Sequence, residues 1–226
     1  MRLSGGDFAA DGICLVGAVV PTSTMLELRG LPMLHAAGRP GARAFSLPPE
    51  VDGHIAAGGA LARIADRLMG MPTRAVRVLH FDKTPEMNWA VPWHQDRTIA
   101  VTDRIEVPGF EPWSRKGGVH HVEPPGTVLS SIVSLRLHLD DCGPENGPLL
   151  AVRGSFRLGR VPAGQIKQHV RAGQIQVCCA NAGDVVAMRG LTIHASERAA
   201  RPGRRRVLHV DFSTSELPGG LQWALA

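Results

Sequence analysis

The chain has 226 residues, of which 44% are hydrophobic and 20% are charged. This length fits one domain, and the composition excludes disordered, collagen-like and coiled-coil proteins. No stretch approaches the roughly 18 apolar residues that a membrane span needs, and the apolar run at 13–20 is too short for a secretory signal. The four cysteines have no CxxC spacing, which argues against a disulfide scaffold and against structural zinc. We therefore expect a single domain over 1–226 in the cytoplasm, with no membrane partner.

The chain is basic, with a formal net charge of +5. A cluster of arginines of this kind binds nucleic acid or an acidic ligand, or else forms a solvated turn. Tyrosine is absent and aromatic residues make up only 4% of the chain, so platforms for stacking bases are scarce. Nucleic acid is therefore the less favoured partner. The arginines of this cluster are Arg198, Arg201, Arg204, Arg205 and Arg206.

The amino-terminal third predicts one strand and two helices. An apolar run indicates a strand at 13–20, and Pro21 suits the first turn of a helix that continues to Leu28. Over 51–69 the apolar residues recur at three-to-four spacing, which predicts a second helix that ends at Gly70 and Pro72.

After Pro72 the chain changes to short β-type runs separated by turn residues. Such runs, without alternating helices, predict a sandwich or barrel and not a parallel α/β sheet. A short helix is expected at 163–171. The predicted strands are 75–81, 128–139, 149–152, 174–179, 184–188, 192–195 and 207–213.

The segment 107–125 is long and rich in proline and glycine, and it carries Trp113 with the adjacent His120 and His121. Loops of this length inside a compact domain are usually functional lids or disordered. The aromatic content favours a lid over an active site.

The most informative local motif is His94-Gln95-Asp96. Because side chains alternate along a strand, His94 and Asp96 project from one face and Gln95 from the other. A second histidine, His194, lies at the end of a late β-type run. Two histidines and one carboxylate form the facial triad of non-haem Fe(II), which leaves three coordination positions open. A histidine near an aspartate is also common as a structural hydrogen-bonded pair, so the motif alone leaves both interpretations open.

Three longer segments are more specific than the motif alone. They are LHFDKTPEMNWAVPWHQDRTIAV at 79–101, LRLHLDDCGPENGPLLAVRGSFRLG at 135–159 and GDVVAMRGLTIHASERAARPGRRRVLHVDFS at 183–213. With these residues in this order, the chain from about Gly38 onward resembles the bacterial branch of the phytanoyl-CoA dioxygenase family. The resemblance implies a mainly β fold, the double-stranded β-helix or jelly roll, with Fe(II) as the metal, 2-oxoglutarate as the cosubstrate and O₂ as the oxidant.

The resemblance also assigns roles to individual residues. His94, Asp96 and His194 match the metal ligands of the family. Arg205, which follows the distal histidine by eleven positions, matches the arginine that binds the far carboxylate of the cosubstrate. A guanidinium suits this role because its planar fork donates two charge-assisted hydrogen bonds to one carboxylate.

Two further residues complete the implied cosubstrate pocket. Ser196 resembles a hydroxyl that the family uses beside the arginine, and Lys83 lies near the position of a second cosubstrate contact. At five residues past the distal histidine the family often has an asparagine, whereas this chain has Ala199. We therefore expect this end of the pocket to differ in detail.

Strand parity leaves a choice between neighbouring arginines. Arg205 shares one face of the last strand with His209, whereas Arg206 shares the other face with a Leu-Val-Phe row. If that apolar row lined the interior of the jelly roll, Arg206 would be the anchor. We prefer Arg205, because helices packed outside the sheet can account for the apolar row.

Three tryptophans and one histidine are candidates for substrate contacts. The tryptophans wall the pocket or simply pack in the core, and the histidine is one of an adjacent pair that points in opposite directions. These candidates are Trp89, Trp93, Trp113 and His121.

The sequence thus predicts an Fe(II)- and 2-oxoglutarate-dependent dioxygenase that hydroxylates an aliphatic carbon of a small organic molecule and releases succinate and CO₂. Two alternatives stay open at this point. One is a nucleic-acid-directed dioxygenase, which the basic charge favours. The other is a non-catalytic, cupin-like protein that binds a metal or ligand without turnover.

Overall fold

The computed structural model describes residues 2–31, 41–44 and 47–225. The strands are β1 (Arg2–Ser4), β2 (Ile13–Gly17), β3 (Gly41–Ala44), β4 (Arg74–Lys83), β5 (Val91–His94), β6 (Ile99–Val101), β7 (Trp113–Lys116), β8 (Val119–Val122), β9 (Ile132–His138), β10 (Leu149–Val152), β11 (Ile175–Cys178), β12 (Val185–Arg189), β13 (His194–Ser196) and β14 (Arg205–Ser213). The α-helices are α1 (Phe8–Asp11), α2 (Thr22–Gly30), α3 (Pro49–Ile55), α4 (Ala60–Met69), α5 (Gly126–Ser130) and α6 (Ile166–Ala172), with 3₁₀ turns at Ser155–Leu158 and Ala163–Gln165. None of these helices is long and apolar enough to cross a membrane.

Two antiparallel sheets form the body of the molecule. The larger sheet has the order β1-β2-β12-β9-β14-β4-β3, and the smaller sheet has the order β11-β10-β13-β5. A third sheet, β6-β8-β7, lies beside them. Side chains of the two main sheets line one shared cavity. The predicted jelly roll is therefore confirmed.

The central strands of the large sheet are buried on both faces. Every residue of β9 and β14 is buried, but the two faces differ in chemistry. Leu208, Val210 and Phe212 pack in one apolar cluster with residues of α2, α3 and α4. The opposite face of β14 carries Arg205 and His209, which line the cavity. The helices outside the sheet therefore account for the Leu-Val-Phe row, and the polar residues face the interior.

Two predicted boundaries are wrong for local reasons. The helix expected over 51–69 is divided into α3 and α4. Gly58 has a φ of +81°, and a Cβ on Gly59 would lie 2.4 Å from the carbonyl oxygen of His54, so the chain turns where glycine is needed. The strand expected over 128–139 begins at Ile132, because Pro125 precedes the short helix α5. An apolar run alone does not separate a buried helical turn from a strand.

The segment 107–125 is wrongly predicted as an irregular loop. Part of it forms the hairpin of β7 and β8, which pairs with β6. Gly117 and Gly118 both have positive φ, +58° and +85°, and they form the two-residue turn between Lys116 and Val119. Two strand-length segments joined by Gly-Gly are a hairpin signal. The strands here are short and do not alternate in polarity, so the high glycine and proline content of the segment favoured the prediction of a loop.

Candidate active site

Three potential metal ligands meet at one end of the cavity. His94 ends β5, Asp96 follows it by two residues, and His194 begins β13. Because β13 pairs with β5 with His194 opposite His94, two histidines that are far apart in sequence become neighbours, with ring centroids 4.3 Å apart. One ligand atom from each of the three side chains lies within 4.8 Å of the others. The structure therefore brings the predicted His-Asp-His set together.

Backbone contacts orient both imidazoles in the same way. His94 Nδ1 lies 2.8 Å from the carbonyl oxygen of Pro92, and His194 Nδ1 lies 2.9 Å from that of Thr192. Donation from Nδ1 to a carbonyl leaves Nε2 as the unprotonated nitrogen, which is the atom that a metal needs.

Gln95 fixes the turn between the two ligands of the motif. Its side chain is buried and donates to the carbonyl oxygens of Gly159 and Leu191 at 2.9 and 2.6 Å. Its Oε1 accepts from the backbone N–H of Val161 at 2.8 Å. Gln95, which points away from the cluster, thus holds the backbone between His94 and Asp96 in place.

Arg77 is a further residue of the candidate site, and no sequence motif indicated it. It donates to Asp96 Oδ2 at 2.8 Å and also to Asp211. Asp211 in turn accepts from Ser134 at 2.6 Å. Strand parity could have found Arg77, since it lies six residues before Lys83 on the same face of β4.

Burial and a neighbouring charge shift the pKa values of two of these side chains. Burial raises the pKa of Asp96, but the charge of Arg77 outweighs it and holds this pKa well below its usual value. Burial lowers the pKa of His194 to about 4. At neutral pH Asp96 is therefore ionised and His194 is neutral, and these are the forms that bind a divalent metal.

The cavity beside these ligands has a volume of about 230 Å³ and is partly open to solvent. Leu79, Phe81, Trp89, Val91 and Leu149 give it apolar walls. Four cationic side chains also line it, namely Arg77, Lys83, Arg136 and Arg205.

Arg205, Lys83 and Ser196 lie together at the other end of the cavity. Arg205 pairs with Lys83 across β14 and β4, and Lys83 Nζ lies 3.1 Å from Ser196 Oγ. Arg205 is 3% exposed and donates to the carbonyl oxygen of Gly147. Among the residues that the structure describes, no carboxylate pairs with Arg205. The three residues predicted to bind the cosubstrate thus lie close together, and the buried guanidinium of Arg205 can bind a carboxylate.

The two arginines next to Arg205 in the sequence form ion pairs with aspartates. Arg206 is paired with Asp140 at 2.8 Å, and Arg204 is paired with Asp82 at 3.0 Å. Both pairs lie outside the cavity lining. The choice of Arg205 over Arg206 therefore agrees with the geometry.

The four residues predicted to contact the substrate lie in different parts of the structure. Trp89 lines the cavity. Trp93 packs against an apolar cluster that includes Ile166. Trp113 packs against the cluster around the third sheet, and His121 of β8 is fully buried. Of these candidates, only Trp89 belongs to the cavity lining that the described residues form.

Residues 42–207 match the family model of phytanoyl-CoA dioxygenase (PhyH). None of the curated proteins matches the sequence. The fold is similar to that of AviO1 from Streptomyces viridochromogenes Tue57, with 21% identity, a TM-score of 0.65 and 94% of each chain covered.

Two further structures share the fold. The non-haem α-ketoglutarate-dependent carbocyclase SnoK from nogalamycin biosynthesis has 16% identity and a TM-score of 0.67, with 91% of this chain and 81% of SnoK covered. EctD from S. alaskensis, solved with 2-oxoglutarate and 5-hydroxyectoine, has 16% identity and a TM-score of 0.65, with 91% of this chain and 73% of EctD covered.

A jelly roll that holds a His-Asp-His cluster near a buried arginine has the architecture of a non-haem iron oxygenase that depends on 2-oxoglutarate. The family model covers well over half of the chain, and the protein belongs to the phytanoyl-CoA dioxygenase family. It is therefore an enzyme whose cofactor and cosubstrates are Fe(II), 2-oxoglutarate and O₂.

Proposed function

We propose that this enzyme hydroxylates an aliphatic carbon of a small organic molecule while 2-oxoglutarate is converted to succinate and CO₂. The observation that carries the proposal is the arrangement of the cavity. A three-ligand cluster lies at one end and a buried arginine lies at the other, with apolar walls between them. This arrangement suits a dicarboxylate that spans the two ends.

His94, Asp96 and His194 would hold the iron, and Arg205 with Lys83 and Ser196 would hold the far carboxylate of 2-oxoglutarate. When bound, the iron and 2-oxoglutarate supply the oxidising power for the reaction.

The protein supplies position and a water-poor site. The hydrogen bond from Arg77 fixes Oδ2 of Asp96, so that Oδ1, 3.7 Å from His94 Nε2, is the oxygen directed toward the metal position. Phe81 and Trp89 form part of the apolar cavity wall and would shield the bound cosubstrate from water. Fixed ligands and a shielded pocket keep the reaction on the bound substrate.

A small molecule is the substrate that the charges favour over nucleic acid. The arginine cluster is largely paired within the protein: Arg201 with Glu145, Arg204 with Asp82 and Arg206 with Asp140. Neutralised arginines give little attraction for a phosphate backbone. The cytoplasm is the proposed compartment, where the four free cysteines stay reduced.

A screen of small organic acids, amino acids and acyl thioesters, read out by succinate release, tests the function. We expect at least one compound to be converted to an alcohol in an amount equal to the succinate released. Mass spectrometry should identify the alcohol by the gain of one oxygen atom. His194→Ala and Asp96→Ala should abolish turnover, and the purified variants should no longer retain bound metal. Their melting temperatures should stay close to that of the wild type. His120→Ala, a histidine outside the cavity lining, is the matched control and should keep both turnover and bound metal.

Full metal retention and turnover in His194→Ala would show that the ligand assignment is wrong. A product that has lost hydrogen or gained a ring, with no alcohol at any stage, would contradict hydroxylation while leaving the enzyme class unchanged.

A further inference from the structure

Arg136 occupies the middle of the row of cations that lines the cavity. On the inner face of the large sheet, Arg77 lies opposite Asp211, His209 lies opposite Arg136 two residues along β14, and Arg205 lies four residues further. Arg77 contacts the metal-ligand end through its hydrogen bond to Asp96. A dicarboxylate that extends from that end to Arg205 must therefore pass Arg136.

The guanidinium of Arg136 is held in place by its neighbours. Nη1 lies 3.0 Å from His209 Nδ1, and His209 Nε2 lies 2.8 Å from Asp211 Oδ1. His209 therefore donates its Nε2 proton to Asp211 and accepts from Arg136. The face of Phe81 lies 5.2 Å from the guanidinium carbon. These contacts fix the direction of Arg136 before any ligand binds.

Arg136 has donors that nothing in the described chain uses. Its side chain is buried, and its Nε has no hydrogen-bond partner. No carboxylate of the described residues forms an ion pair with it. Burial, and then the charge of Arg205, lower the pKa of Arg136 to about 10, so the group stays charged at neutral pH. A buried, oriented and unpaired cation is costly unless a ligand supplies the anion.

The other cations of the cavity already have defined roles. Arg77 is neutralised by two carboxylates. Lys83 and Arg205 lie together at the far end, where one carboxylate satisfies both. Arg136 is the remaining cation of the cavity lining, and it lies between the far end and the metal ligands.

We infer that Arg136 binds the metal-side carboxylate of 2-oxoglutarate, while Arg205 binds the far carboxylate. The inference rests on the proposed function. It means that two separate guanidinium groups recognise the two ends of the cosubstrate, and that the contact from Arg136 does not depend on the far carboxylate.

The test measures binding and not turnover. Wild-type protein, Arg136→Gln and Arg205→Gln are loaded with saturating Ni(II) in the absence of O₂, and dissociation constants are measured by calorimetry. The two ligands are 2-oxoglutarate and 2-oxopentanoate, which has the same keto-acid end but a methyl group in place of the far carboxylate. Arg204→Gln, whose side chain pairs with Asp82, is the matched control.

Arg136→Gln should weaken both ligands by a similar factor of at least about tenfold, as expected for the loss of a charge-assisted hydrogen bond. Arg205→Gln should weaken 2-oxoglutarate by a comparable factor and leave 2-oxopentanoate within about twofold. The control should bind both ligands as the wild type does. Arg136→Lys, which keeps the charge, should bind both ligands better than Arg136→Gln but less well than the wild type, and it serves if the glutamine variant does not fold.

Unchanged binding in a folded Arg136 variant overturns the inference. So does a loss for 2-oxoglutarate without a loss for 2-oxopentanoate, because Arg136 would then face the far carboxylate. If Ni(II)-loaded wild type binds neither keto acid, the proposed function falls as well, so the two failures can be told apart.

Discussion

Lys83 is the residue of the proposed cosubstrate pocket whose charge is expected to change near physiological pH. Its Nζ lies 3.1 Å from both Ser196 Oγ and the carbonyl oxygen of Glu197 and 5.0 Å from the centre of the Trp89 ring. Burial, and then the charge of Arg205, lower the pKa of Lys83 to about 8. Below this pH the amine is charged and can bind a carboxylate, and above it the charge is lost.

The affinity for 2-oxoglutarate should therefore fall as the pH rises through about 8. Well below this pH the dissociation constant should be flat, and above it log Kd should rise toward a limiting slope of about one per pH unit. Lys83→Met should bind more weakly at pH 7 and lose this alkaline change. Calorimetry with Ni(II)-loaded, O₂-free protein between pH 6.5 and 9.5 measures both, with Lys167→Met of α6 as the exposed control. A Lys83→Met profile parallel to that of the wild type would exclude Lys83 as the titrating group.

At the scale of elements, the hairpin of β7 and β8 is the part of the molecule expected to close over the site. Its base packs in the apolar cluster that contains Phe110 and Val122. Its tip, with Arg115 and Lys116 before the Gly117-Gly118 turn, is exposed. The structure gives the segment a defined conformation, and its role as a lid stays a prediction.

If the hairpin closes, trypsin should cleave after Arg115 or Lys116 more slowly once Ni(II) and 2-oxoglutarate are bound. A local opening that exposes the tip is suppressed when the ligand stabilises the closed state. Mass spectrometry of the fragments over time gives the rate. Cleavage elsewhere, such as after the exposed Lys167 of α6, is the internal control. A rate at the hairpin that does not respond to these ligands would show that it is not a lid.

At the scale of the whole molecule, one apolar cluster joins the helices to the large sheet. Residues of α2, α3, α4 and five strands of this sheet contribute to it. Phe212 of β14 is among its largest fully buried side chains. A core shared in this way supports the expectation that the chain is a single domain that unfolds cooperatively.

Urea unfolding should therefore show one transition, with tryptophan fluorescence and far-UV circular dichroism giving the same midpoint. Phe212→Ala should lower the free energy of unfolding by about 3–5 kcal/mol, because the lost contacts leave a cavity, and should move both signals together. Val177→Ala on the exposed face of the edge strand β11 should change it by no more than about 0.5 kcal/mol. Two separate midpoints would indicate two independently stable units.

The sequence by itself determined the class of fold and predicted the main residues of the candidate site. Strand-length runs predicted a sandwich or barrel, and the resemblance, which rests on local motifs and their order, implied the jelly roll and pointed to His94, Asp96, His194 and Arg205. Helix α5 and the hairpin of β7 and β8 were missed, since short apolar or glycine-rich stretches suit more than one local structure.

Only the tertiary structure decided which other side chains join these residues. It brings Arg77, Arg136 and His209 into the cavity, and it places Trp93 and His121 elsewhere. The alternation of side chains along a strand fixes which residues share a face, but the register between strands fixes which of them meet. That register depends on contacts between residues far apart in sequence, so a single strand cannot reveal it.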